Sequence, residues 1–94
     1  MFAQLQVVMD ETMIKKHDVP FYGCRIIMYA WKNCPVSCGT LFLDARYCNV
    51  SEALTQGKSV AKDLNLEIVA TCKPKEMTLK QFAKFRNKYL KEQG

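Results

Sequence analysis

Four lysines, Lys80, Lys84, Lys88 and Lys91, recur at i, i+4, i+8 and i+11 near the end of this 94-residue chain. On a helix that spacing draws a single line of ammonium groups. A line of cations on a rigid rod can follow a phosphate backbone, where released counterions supply the affinity. Lys73 and Lys75 stand just ahead of the stripe. Arg86 is out of pattern, because it falls inside the apolar arc of the same helix, near the angle of Leu79 and Leu90. Either its stem packs while its head bends to the rim, or the helix has an open side where a partner docks. The plainer account of the stripe is the charged face that any amphipathic helix turns to water.

Other residue types point to other chemistry, each less completely. Tyr22, Tyr29, Trp31, Phe42 and Tyr47 fall in strand-like runs. On an open sheet face, with Arg25 or Arg46 beside them, such rings suit single-stranded RNA or DNA. A small domain also needs its large side chains for its core, which is the simpler use of them. Cys34 and Cys38 have the spacing of half a zinc site, but there is no second close cysteine pair and His17 is the single histidine. Two free thiols in a turn are therefore the expectation, with a disulfide or a zinc site as lesser alternatives. His17-Asp18 lacks the further histidines a metal phosphohydrolase needs, and nothing in the sequence activates a particular cysteine. The four glycines are isolated and cradle no phosphate, while Asp44 and Glu67 belong to different elements. No catalytic set and no cofactor is expected.

Charge placement favours the same end of the chain. Residues 1–72 hold seven Lys/Arg against seven Asp/Glu, whereas residues 73–94 hold seven Lys/Arg against Glu76 and Glu92. The whole formal charge of +5 therefore belongs to the C-terminal segment. No apolar run approaches the roughly 18 residues of a membrane span. The opening stretch lacks a basic region followed by an apolar one, so no secretory signal is expected. Five cysteines, an odd number with no paired framework, fit a reducing, intracellular and cytoplasmic setting.

The elements that must position these residues are legible from periodicity. Phe2 to Met9 alternates as a first strand, with Ala3, Leu5, Val7 and Met9 on one side. Residues 10–20 read as a loop holding a frayed turn under Asp10. Phe21 to Trp31 is apolar on both faces and predicts a central strand. A turn over 33–39 leads into a third strand, Thr40 to Cys48, with Phe42, Asp44 and Arg46 on its wetter face. Asn49 and Glu52 have capping-box spacing for a helix whose stripe is Ala53, Leu54, Gly57, Val60, Ala61 and Leu64. Gly57 is reasonable there if the helix backbone lies close to the sheet, and Asn65 can end the helix in the left-handed conformation. The period then changes to two over Leu66 to Cys72, a fourth strand, until Lys73-Pro74-Lys75 breaks it. Thr78 with Gln81 caps the last helix, and Leu79, Phe82, Ala83, Phe85, Tyr89 and Leu90 form its apolar arc.

The expectation is one α+β domain over residues 1–94, ordered β-β-β-α-β-α. It has a three- to four-stranded, mainly antiparallel sheet with two helices packed on it. The element order resembles that of small antitoxin-like and double-stranded-RNA-binding-like domains, and this likeness concerns architecture alone. The expected function is that of a small non-enzymatic regulator. It binds RNA or DNA backbone through Lys73, Lys75, Lys80, Lys84, Arg86, Lys88 and Lys91. The alternative is a protein-interaction module that takes an acidic partner, or forms a homodimer through a sheet edge. No membrane partner is expected.

Overall fold

The computed structural model describes residues 1–44 and 49–93. The expected positions of Ala45, Arg46, Tyr47 and Cys48 in the third strand lie outside the described residues. Four strands, β1 (Phe2–Met9), β2 (Tyr22–Tyr29), β3 (Gly39–Phe42) and β4 (Glu67–Cys72), form one sheet in the order β3-β2-β1-β4. Pairing is antiparallel for β1 with β2 and β2 with β3, and parallel for β1 with β4. The sheet is thus mixed, and β-β-β-α-β-α is the observed order.

Side-chain alternation decides which face is covered. Ala3, Leu5 and Val7 on β1 stand in register with Met28, Ile26 and Cys24 on β2, and all but Met28 are buried. Helix α1 (Val50–Asp63) seals this face by burying Val50, Ala53, Gly57 and Ala61. Its start is set by Asn49, whose side-chain oxygen accepts from the Glu52 N–H at 2.8 Å. Its end is set by Asn65 at φ 56°, with the Asn65 N–H donating to Lys62 O and the Leu66 N–H to Ala61 O. Gly57 shows why the helix sits so low. A Cβ built there would lie 3.2 Å from the Cys24 Cβ and collide outright with its Sγ. The third and fourth strands run parallel, as one helical crossover requires, but they occupy opposite edges of the sheet. Helix α1 therefore passes over both β2 and β1 before β4 joins.

The last helix, α2 (Leu79–Gln93), behaves differently. No Cα of α2 comes within 8 Å of a described strand or of α1, so it extends the molecule instead of layering on the sheet. The expectation that both helices pack on the sheet thus holds for α1, while α2 docks elsewhere. Its foothold is the excursion between β1 and β2, where a 3-10 turn over Glu11–Met13 is capped by Asp10. Ile14 in that segment and Phe82 in α2 are each 1% exposed, yet both lie outside the main core cluster. The radius of gyration is 14.8 Å, above the roughly 12 Å expected of a spherical domain this size. No helix among the described residues is long and apolar enough to cross a membrane.

Candidate nucleic-acid interface

The local sequence builds α2 as a capped rod. The Thr78 hydroxyl accepts from the Gln81 N–H at 3.2 Å, and the Gln81 side chain accepts from the Thr78 N–H at 3.1 Å. This reciprocal pair satisfies two backbone donors that a helix start otherwise leaves open. Just ahead of the cap, the Met77 N–H donates to the hydroxyl of Tyr22, a core residue at the start of β2. That bond ties the connector over 73–78 to the end of the sheet.

Arg86 resolves into a positioning residue. Its Nε donates to the carbonyl oxygen of Ile14 at 3.1 Å, and its Nη1 stands 3.5 Å from Asp18. Only 28% of its side chain is exposed, whereas Asp18 is almost fully in water, so the carbonyl bond contributes more than the ion pair. An arginine inside an apolar arc is thus explained by a carbonyl on the facing segment, a partner 72 residues away in the chain. Phe82, Phe85, Tyr89 and Leu90 are buried or half-buried on the same side, with the Phe85 and Tyr89 rings stacked 6.4 Å apart. Leu79 falls outside this protected arc at 62% exposure.

With the docking side so defined, the lysines take the opposite one. Lys80, Lys84, Lys88 and Lys91 are all exposed, as are Lys73 and Lys75 in the connector. Arg86 pairs with Asp18, whereas none of these six lysines forms an ion pair with another described residue. From Lys80 to Lys91 the stripe covers about 16 Å of helix.

The aromatic candidates divide. Tyr22 is a core residue, while Tyr29 and Phe42 stand on the sheet face that α1 leaves open, and Trp31 lies just past the end of β2 beside Tyr29. On that face Arg25 lies 5.3 Å from the centre of the Phe42 ring, in cation–π geometry. Beside them is a cleft of about 640 Å³ whose rim carries Asp10 and Glu11. Those carboxylates make it unfavourable for phosphate. At the opposite end of the open face is a smaller hollow of about 170 Å³ among Phe2, Gln4, Tyr29 and Trp31.

The cysteine and histidine candidates are not brought together. Cys34 donates to the Val36 carbonyl in the β2–β3 loop, whereas His17 packs on Phe21 at the other end of the sheet, with ring centres 4.2 Å apart. Cys24, Cys34, Cys38 and Cys72 are free thiols. Among the described residues no group of three or more His, Cys, Asp or Glu side chains stands close enough to hold a metal ion. Burial pushes the Cys24 thiol up, more than its backbone hydrogen bond with Gln6 lowers it. A thiol so placed is packing for α1 and a poor nucleophile.

No family model, no curated protein and no solved structure matches this chain. The geometry of α2 and of the open sheet face therefore carries the functional reading by itself.

The hollow on the open face was readable only in part from sequence. Phe2 and Gln4 alternate with the buried side of β1, which placed them on its other side. Their meeting with Tyr29 and Trp31 required the register Phe2 to Tyr29 and Gln4 to Ile27, which no periodicity gives.

Proposed function

We propose that the chain is a non-enzymatic regulatory protein that binds the phosphate backbone of RNA or DNA through the outer side of α2. The observation that carries this reading is the lysine stripe itself. Four unpaired ammonium groups line one side of a helix whose other side is fastened by Phe82 and Arg86. Lys73 and Lys75 extend the stripe toward the sheet, and Arg86 serves by holding the rod in place. Such a surface attracts any polyanion, and a regular phosphate chain matches a regular row of cations best. The test is Lys80→Glu combined with Lys84→Glu, measured by fluorescence anisotropy on short single- and double-stranded oligonucleotides. Both side chains are exposed, so the fold is retained by circular dichroism while binding is lost. Unchanged affinity in the double variant would make the stripe an ordinary solvated face.

A second reading rests on β4. Five of its six residues are exposed, and its outer edge is unpaired among the described strands. An edge of this kind can add a strand from a second copy or from another protein. Molar mass measured over a range of concentrations tests the homodimer form, with Val69→Lys expected to shift any dimer toward monomer.

A further inference from the structure

Helix α1 covers one face of the sheet, and α2 leaves the other uncovered. At the end of that open face where β1 begins lies the hollow of about 170 Å³ formed by Phe2, Gln4, Tyr29, Trp31, Lys32 and Val69 with their neighbours. Three of these residues are aromatic. The Gln4 amide is fixed among them, its oxygen accepting from the Tyr29 hydroxyl at 3.3 Å and its nitrogen donating to the Cys72 Sγ at 3.2 Å. Val69 is placed by an irregularity in the β1–β4 pairing, where Ile68 faces Ala3 but Ala70 faces Gln4. The lining holds one cation, Lys32, and no carboxylate. Trp31 leaves 60% of its surface in water, an unusual position for the one tryptophan of the chain.

We propose that this hollow receives a single unstacked nucleobase, making the open sheet face a stacking site for single-stranded RNA or DNA. The inference rests on the nucleic-acid reading of α2 and adds the substrate class. A flat heteroaromatic ring finds faces to stack on in Phe2, Tyr29 and Trp31, and the Gln4 amide retains one N–H and acceptor capacity for its polar edge. Lys32 at the rim matches the sign of the adjoining phosphate. Duplex DNA cannot offer an unstacked base without first paying to extrude it, so the hollow selects single strands. It lies at the start of β1, and α2 is tied to the sheet where β2 begins, opposite the end of β1. A ligand engaging both must therefore span at least about 26 Å, the length of an eight-residue strand.

Trp31 is its own reporter. The experiment titrates the full chain at low salt with a single-stranded oligothymidine and with an abasic sugar–phosphate chain of the same length, following tryptophan emission and anisotropy together. The expected result is quenching of Trp31 by the base-bearing strand alone, with the abasic chain binding roughly tenfold more weakly. Trp31→Leu, at an exposed loop position, should abolish the preference for bases while leaving abasic binding unchanged. Equal binding of both ligands with unaltered emission would overturn the stacking site and leave the α2 reading standing. Binding of neither would remove both. Quenching by a proline-rich peptide and by no oligonucleotide would replace the nucleobase with a protein ligand.

Discussion

Helices α1 and α2 are nearly equal in length, fourteen and fifteen residues, and both begin at a side-chain cap. They differ in what happens after the cap. Helix α1 buries Val50, Ala53, Gly57 and Ala61 in the main core, whereas α2 fully buries Phe82 alone. Capping settles where a helix begins, and burial settles which of its sides remains available. Helix α1 is bound into the sheet by small residues that let its backbone approach. Helix α2 is held at a few points and leaves its cationic side exposed.

The contrast is broken most severely at Gly57. A side chain there meets Cys24, so Gly57→Val should cost about 3 kcal/mol, the upper end of ordinary overpacking. Urea denaturation would show it as a lower midpoint for the whole domain, with sheet and helices lost together. Phe82→Ala sharpens the comparison from the other side. In a main core such a truncation costs about 3–5 kcal/mol. Here the global loss should stay below about 2 kcal/mol, because what comes free is one thinly docked helix. Hydrogen exchange would show protection lost along α2 while β1 and β2 retain theirs. Equal loss in both regions would mean that α2 is part of the core after all.

Smaller effects test the same division. Thr78→Ala removes the cap of α2 and should cost about 1 kcal/mol, confined to that helix by hydrogen exchange. Alkaline pH acts on α1 instead. The Cys24 thiol is raised above its ordinary value of 9.0 by burial, so the folded state keeps a proton that the unfolded state releases. That contribution is complete below the unfolded pKa and is lost as pH rises through the folded one. Denaturation midpoints should therefore fall above about pH 9 in the native chain. Cys24→Ala should remove that part of the fall.

How much of this was legible in the sequence follows from how local each signal is. The caps at Asn49 and Thr78, the left-handed stop at Asn65 and the alternation of β1 involve residues within a few positions of one another. Each appears in the structure where it was expected. Gly57 was readable as a close approach, although its contact with Cys24 was not. What stayed hidden depends on long-range pairing. The placement of β3 and β4 on opposite edges, and the docking of Arg86 on Ile14, link positions far apart in the chain. The apolar arc of α2 suggested a helix lying on the sheet. Periodicity reports that one side is apolar and says nothing of which segment covers it. The lysine stripe was legible in full, because it depends on helical spacing alone.

The most direct test of the central claim is the salt dependence of oligonucleotide binding, compared between the native chain and the Lys80→Glu, Lys84→Glu variant. If α2 tracks a phosphate backbone, log affinity falls linearly with log salt. A single strand then gives a slope of roughly −2 to −3, as three to four contacts imply, and the variant shows no measurable binding. A slope near zero, or one that the charge reversals leave unchanged, would contradict the claim and return the weight to a protein partner at the edge of β4.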